Sequence, residues 1–156
     1  MTISTTVKRD LEERGIPYDV VAHEHTGSSL QTAQAAHIPG GYLAKAIVLK
    51  DAEGYVMAVT SADYKLSTSE LYDALGRHLD LVQEEELGGI FKDCDLGAVP
   101  PLAPAYGMEA VWDDSLAMLD YVFFEGGDHD HIVRVKADDF KKLMGDAQHA
   151  QFSHHL

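Results

Sequence analysis

The stretch LAKAIVLKDAEGYVMAVTSA, residues 43–62, constrains the fold more than any other part of the chain. Two apolar, β-branched-rich runs, residues 44–50 and 55–62, flank the turn signal DAEG at 51–54, which predicts a β-hairpin. Alternation along the first strand sets Lys45, Ile47 and Leu49 on one face and Ala46, Val48 and Lys50 on the other. Lys50 stands at the strand end and reaches water. Lys45 interrupts a face that is otherwise apolar, and charged side chains are rarely buried without a partner. Two readings follow. The stem packs while the amine escapes to the surface, or the amine projects into a cleft where it meets a phosphate, a carboxylate or a developing oxyanion.

Further elements surround the hairpin. Residues 5–14 read as a charged helix with Val7 and Leu11 on one side, stopped by Gly15 and Pro17. Residues 18–23 form a short strand. Residues 28–37 form a helix capped by Ser28 or Ser29 and ended by Pro39-Gly40-Gly41. A capping box, Ser67 to Glu70, opens a helix carrying Leu71 and Leu75. Strands are expected at 79–83, 108–113, 120–126 and 131–136. A weak, glycine-spoiled helix is expected at 84–91 and a closing helix at 137–146; the tail from 147 fits neither pattern clearly. This irregular interleaving predicts an α+β fold, a curled mixed or antiparallel sheet or barrel-like core with peripheral helices.

The 156 residues suit a single domain, 1–156. The formal charge of −14, from 26 acidic and 12 basic residues, argues against broad phosphate binding, so any nucleic-acid contact is focal. With one cysteine, Cys94, no intrachain disulfide is possible. Its acidic neighbours disfavour a nucleophilic thiolate. No stretch approaches membrane-spanning length and the N-terminus lacks an apolar signal core, so a soluble cytoplasmic protein without a membrane partner is expected.

Three groups could carry chemistry. Lys45 is the first. The loop Gly97-Ala98-Val99-Pro100-Pro101-Leu102-Ala103-Pro104 is the second: prolines stiffen it and leave the amides of Gly97, Ala98 and Val99 to be aimed at one oxygen, although a stiff connector has the same composition. The third is FFEGGDHDHIVRV, residues 123–135, where a hairpin brings Glu125 near His131. His23 and His25, with His129 and His131, make two His-x-His pairs that with Glu125 offer a metal-ligand reading. A solvated acidic turn explains the same residues, and no metal is assigned. His149, His154 and His155 have no partner pattern. P-loop, dinucleotide and serine-nucleophile signatures are absent, so no cofactor is expected.

In order and spacing, GIPYDVVAHEH, LAKAIVLK, GAVPPLA and VFFEGGDHDHIVRVKADDFKKLM resemble the YbaK/prolyl-tRNA-synthetase-associated editing domain family over residues 5–145. The resemblance implies a YbaK-like fold and hydrolysis of the ester joining a wrong, small amino acid to tRNA. It implies Lys45 as the functional lysine, with Gly97 and Pro101 in a Gly-x-x-x-Pro loop whose backbone, through Ala98 and Val99, surrounds the aminoacyl group. His23 and Glu125 would line the pocket. The partner would be the aminoacylated 3′ end of tRNA, delivered by an aminoacyl-tRNA synthetase if intrinsic affinity is weak. Ala103, His23 and Glu125 depart from residues common in relatives, so the amino-acid preference does not transfer. A non-catalytic module that binds an aminoacyl group or a protein, and the metal-dependent enzyme, are the alternatives. Oligomeric state is not encoded in any of these features.

Overall fold

The computed structural model describes residues 3–26, 28–95 and 97–156. Helices are α1 (Thr5–Glu13), α2 (Ser29–Ala35), α3 (Thr68–Leu75), α4 (Glu84–Ile90) and α5 (Ala137–Met144). Strands are β1 (Asp19–Ala22), β2 (Leu43–Asp51), β3 (Gly54–Ser61), β4 (Tyr64–Leu66), β5 (Asp80–Leu81), β6 (Glu109–Asp113), β7 (Tyr121–Glu125), β8 (His131–Lys136), β9 (Gln148–Ala150) and β10 (Ser153–His155). Among the described residues, eight strands form one mixed sheet in the order β1-β8-β7-β2-β3-β6-β9, with β5 on β2; β10 and β4 pair separately. The fold is mixed α+β, as expected.

Local chemistry explains most boundaries. The β2–β3 hairpin closes at Asp51↔Gly54 over a two-residue turn. Ser4 caps α1 through Val7 N–H (3.1 Å), and Ser67 caps α3 through Glu70 N–H (3.3 Å). The end of α2 departs from the expected glycine stop. His37 takes the left-handed conformation at φ 59°, and Gly40–Tyr42 forms a 3₁₀ turn leading into β2. The expected strand at 79–83 shrinks to two residues, and the tail supplies β9 and β10.

Alternation gives the sheet two buried faces. On one, Ala44, Val48, Met57, Val59, Trp112, Val122, Phe124, Val133 and Val135 form the main core with α1, α5, Leu102 and Ala103. The other holds two smaller clusters. Leu43 and Ile132 pack with Ala33 of α2. Leu49, Val56, Ala58 and Val111 pack with Leu71 of α3 and Phe152. Lys45 lies on β2 between Leu43 and Leu49, so it falls between these two clusters.

Candidate functional site

A row of polar residues crosses the sheet at the level of Lys45. Lys45 pairs with Thr60. Ala44 pairs in parallel with Phe124, and Glu125 follows as the next β7 residue, one past the last pair and on the same face as Lys45. Pairing of Val59 with Trp112 likewise makes Asp113 the next beside Thr60. Two members of the row are committed to the chain's own tail. Thr60 bonds Ser153 (2.6 Å), and Asp113 accepts from Phe152 N–H (2.9 Å) and Ser153 N–H (3.1 Å). Glu125 and Lys45 are less spent.

The Lys45 ammonium is half-buried and donates to the Tyr64 carbonyl (2.6 Å). Burial draws its pKa down, and the Asp63 carboxylate partly opposes this. The lysine therefore neither escapes to open water nor sits in a closed ion pair. Glu125 is only 3% exposed. One carboxylate oxygen accepts from Thr32 Oγ1 of α2 (3.0 Å), and the other is buried without a partner. Burial raises its pKa to about 7; the Thr32 bond opposes this rise, and the nearby Asp128 charge adds to it.

The sheet is interrupted here. Pairing of β2 with β7 stops at Ala44↔Phe124, and pairing with β5 begins at Leu49↔Leu81, extended by the bond from Val82 N–H to the Val48 carbonyl (3.1 Å). Among the described residues, no strand lies beside positions 45–47 on that edge. The result is a notch in the middle of the sheet, with the β7–β8 hairpin on one side and β5 on the other.

The hairpin ties the proline loop to the same end. Asp95 N–H bonds the Gly127 carbonyl (2.7 Å), and Gly97, at φ +83°, lies so near His129 that a Cβ would stand 3.2 Å from its Cε1. Ala98, Pro100 and Pro101 are buried, and Val99 packs on the main core. The Ala98 N–H donates to the Asp95 carbonyl (3.1 Å), which removes one of the three amides the sequence offered. The hairpin itself is set by Asp128. One oxygen accepts from Asp130 and His131 N–H (3.0 and 2.8 Å), and the other bonds His131 Nδ1 (2.9 Å).

The other three histidines of the two His-x-His pairs stand around this end. His23 N–H bonds the Asp130 carbonyl (2.8 Å), its Nδ1 lies 2.7 Å from the Glu24 carbonyl, and its Nε2 is buried without a partner. His25 bonds Asp130 (3.0 Å) and meets the His129 ring edge-on at 5.0 Å. Among the described residues, no three His, Cys, Asp or Glu side chains are grouped to hold a metal ion. Sequence reasoning missed Thr32, Asp63 and Tyr64. Thr32 is a polar residue on the buried face of α2, a detectable signal; the carbonyl of Tyr64 leaves none.

A model of the aminoacyl-tRNA editing domain matches residues 23–143. The chain belongs to the aminoacyl-tRNA editing domain family. The match begins at His23 and takes in Lys45, the proline loop, Glu125 and most of α5. No curated protein matches the chain. Among solved structures, it is similar to a candidate trans-editing enzyme for prolyl tRNA synthetase, with 24% identity, TM-score 0.82, and 98% of this chain and 99% of that one covered. It is also similar to a protein described only as hypothetical, with 19% identity, TM-score 0.82, and 96% and 99% covered. A third likeness is to a candidate signal transduction protein from Marinobacter aquaeolei VT8, with 22% identity and TM-score 0.78. There 95% of this chain is covered but 30% of the other. At these identities the likenesses establish the fold. No helix among the described residues is long and apolar enough to cross a membrane.

Proposed function

We propose that this editing domain hydrolyses, in trans, the ester joining a small, wrongly attached amino acid to the 3′ end of a tRNA. The supporting observation is the half-buried Lys45 ammonium on an apolar face, beside the notch in β2, at the sheet end to which the proline loop is tied. An aminoacyl ester is already activated, so the site needs a positioned water and stabilised charge rather than a strong nucleophile. Water attacks the ester carbon and the carbonyl electrons move to oxygen. Collapse of that oxyanion expels the ribose oxygen, which takes a proton, and the free amino acid and tRNA leave. Lys45 supplies positive charge for the oxyanion or for the terminal nucleotide. The amides of Gly97 and Val99, with Pro101 bracing the loop, surround the acyl group, and His23 and Glu125 border the side-chain space. On this reading the loop and hairpin would admit small side chains and exclude larger ones, as a second sieve does.

Several described cations are already ion-paired, and the chain carries a formal charge of −14. Arg77 is held by Asp51, Glu53 and Glu109, Arg134 by Asp19, and Lys50 by Glu86. That fits weak intrinsic tRNA affinity and delivery by an aminoacyl-tRNA synthetase in the cytoplasm. The test is hydrolysis of a panel of mischarged tRNAs bearing alanine, cysteine, serine, threonine and small non-protein amino acids. At least one should be hydrolysed well above its spontaneous rate. Binding of an aminoacyl-adenosine analogue with no turnover across the panel would instead identify a non-catalytic module.

A further inference from the structure

The hydrolytic reading gives no partner to the second carboxylate oxygen of Glu125. Glu125 sits on the same face as Lys45, one strand over, with one oxygen fixed by Thr32 Oγ1 at 3.0 Å and the other buried and unpartnered. A buried acceptor without a donor costs stability in the free protein and is a ready partner for an incoming donor. The other nearby carboxylate, Asp128, has both oxygens occupied by the hairpin. Asp63, near Lys45, also keeps one buried oxygen free, but its other oxygen meets the exposed His155 of the tail, whereas Glu125, on the hairpin side, is held by Thr32.

Its placement suggests the ligand group. Glu125 is the first β7 residue past the last β2–β7 pair, Ala44↔Phe124, and shares its face with Lys45, so a carboxylate and an ammonium stand on either side of the point where the two strands part. An α-amino ester carries a cation and a carbonyl one carbon apart. The ammonium suits a carboxylate; the carbonyl oxygen suits a cation.

We infer that the free oxygen of Glu125 accepts a hydrogen bond from the α-ammonium group of the aminoacyl moiety, so that the site selects esters with an unblocked amine. This inference rests on the editing reading, because it takes the aminoacyl ester as ligand. It assigns Glu125 a specificity role: esters of acids lacking the α-amine, or carrying it blocked, would bind poorly whatever the size of their side chain.

The experiment uses two uncleavable probes, 3′-alanylamino-3′-deoxyadenosine and its propionyl counterpart, which differ only in the amine. Affinities are measured by calorimetry on the wild-type chain and on Glu125→Gln, a variant of nearly unchanged shape. The wild type should favour the alanyl probe by about 30-fold, the scale of a charged hydrogen bond in a desolvated site. In Glu125→Gln the preference should fall below about 3-fold through loss of that charged bond. Equal wild-type affinities, binding of neither probe, or a preference retained in Glu125→Gln would each overturn the assignment. Failure of the parent reading looks different: the mischarged tRNAs are not hydrolysed while the amine-dependent binding persists.

Discussion

Glu125→Gln should change how stability depends on pH, with a sign and size set by burial. The carboxyl titrates near 7 in the folded chain against an ordinary value of 4.5, chiefly because it is desolvated. Between those values the folded state binds more protons than the unfolded state, so stability falls as pH rises. Below pH 4.5 the acid is protonated in both states and the penalty is absent. Above pH 7 it is complete, and at about 1.36 kcal/mol per pH unit it amounts to about 3 kcal/mol. The depressed carboxylates Asp51 and Asp93 titrate near 2 and act outside this window. Contributions common to variant and wild type cancel on subtraction. Urea denaturation at half-unit steps from pH 5 to pH 8 measures the difference. The wild type should lose about 2.5 kcal/mol relative to Glu125→Gln across that range. A difference that stays flat would refute a buried, high-pKa carboxyl at this position.

Thr32→Val removes the hydroxyl that holds one Glu125 oxygen. It should cost about 2 kcal/mol at pH 8, where the bond is charge-assisted, and about 1 kcal/mol at pH 5, read from the same denaturation curves. Gly127→Ala should destabilise by about 3 kcal/mol or more, since φ is +111° and the new Cβ would stand 2.8 Å from Ser4 Cβ. Gly76→Ala, in the left-handed helical region at φ +68° with no atom within 4 Å, should cost about 1 kcal/mol, and equal losses at the two sites would contradict the close packing of hairpin and N-terminus.

Much of the architecture could be read from pattern. The β2–β3 hairpin, the Ser67 cap of α3 and the periodicity of α1 are local signals that the structure follows, although the Glu70 carboxylate bonds His154 and the Ser67 N–H bonds the Phe152 carbonyl instead of closing a capping box. The misread positions answer to distant partners. The strand expected at 79–83 has little neighbour to pair with beyond Leu49 and Lys50. The tail becomes strands because β6 and β4 offer free edges. At the site, the oddity of Lys45 was visible because one charge broke an apolar face. The notch was not, since it arises where β7 leaves β2 before β5 arrives, a matter of register between segments far apart in sequence. The use of the Ala98 amide by Asp95 was equally hidden, because turn bonds within a proline-rich loop leave no mark in composition.

The account rests most heavily on Lys45, and the rate of deacylation by Lys45→Ala, on whichever mischarged tRNA the wild type cleaves fastest, tests it most directly. Loss of a charge that stabilises the transition state predicts a fall of about 100-fold or more in single-turnover rate, with the melting temperature maintained because a half-buried ammonium has been removed. A variant that folds and cleaves that ester at the wild-type rate would contradict the assignment.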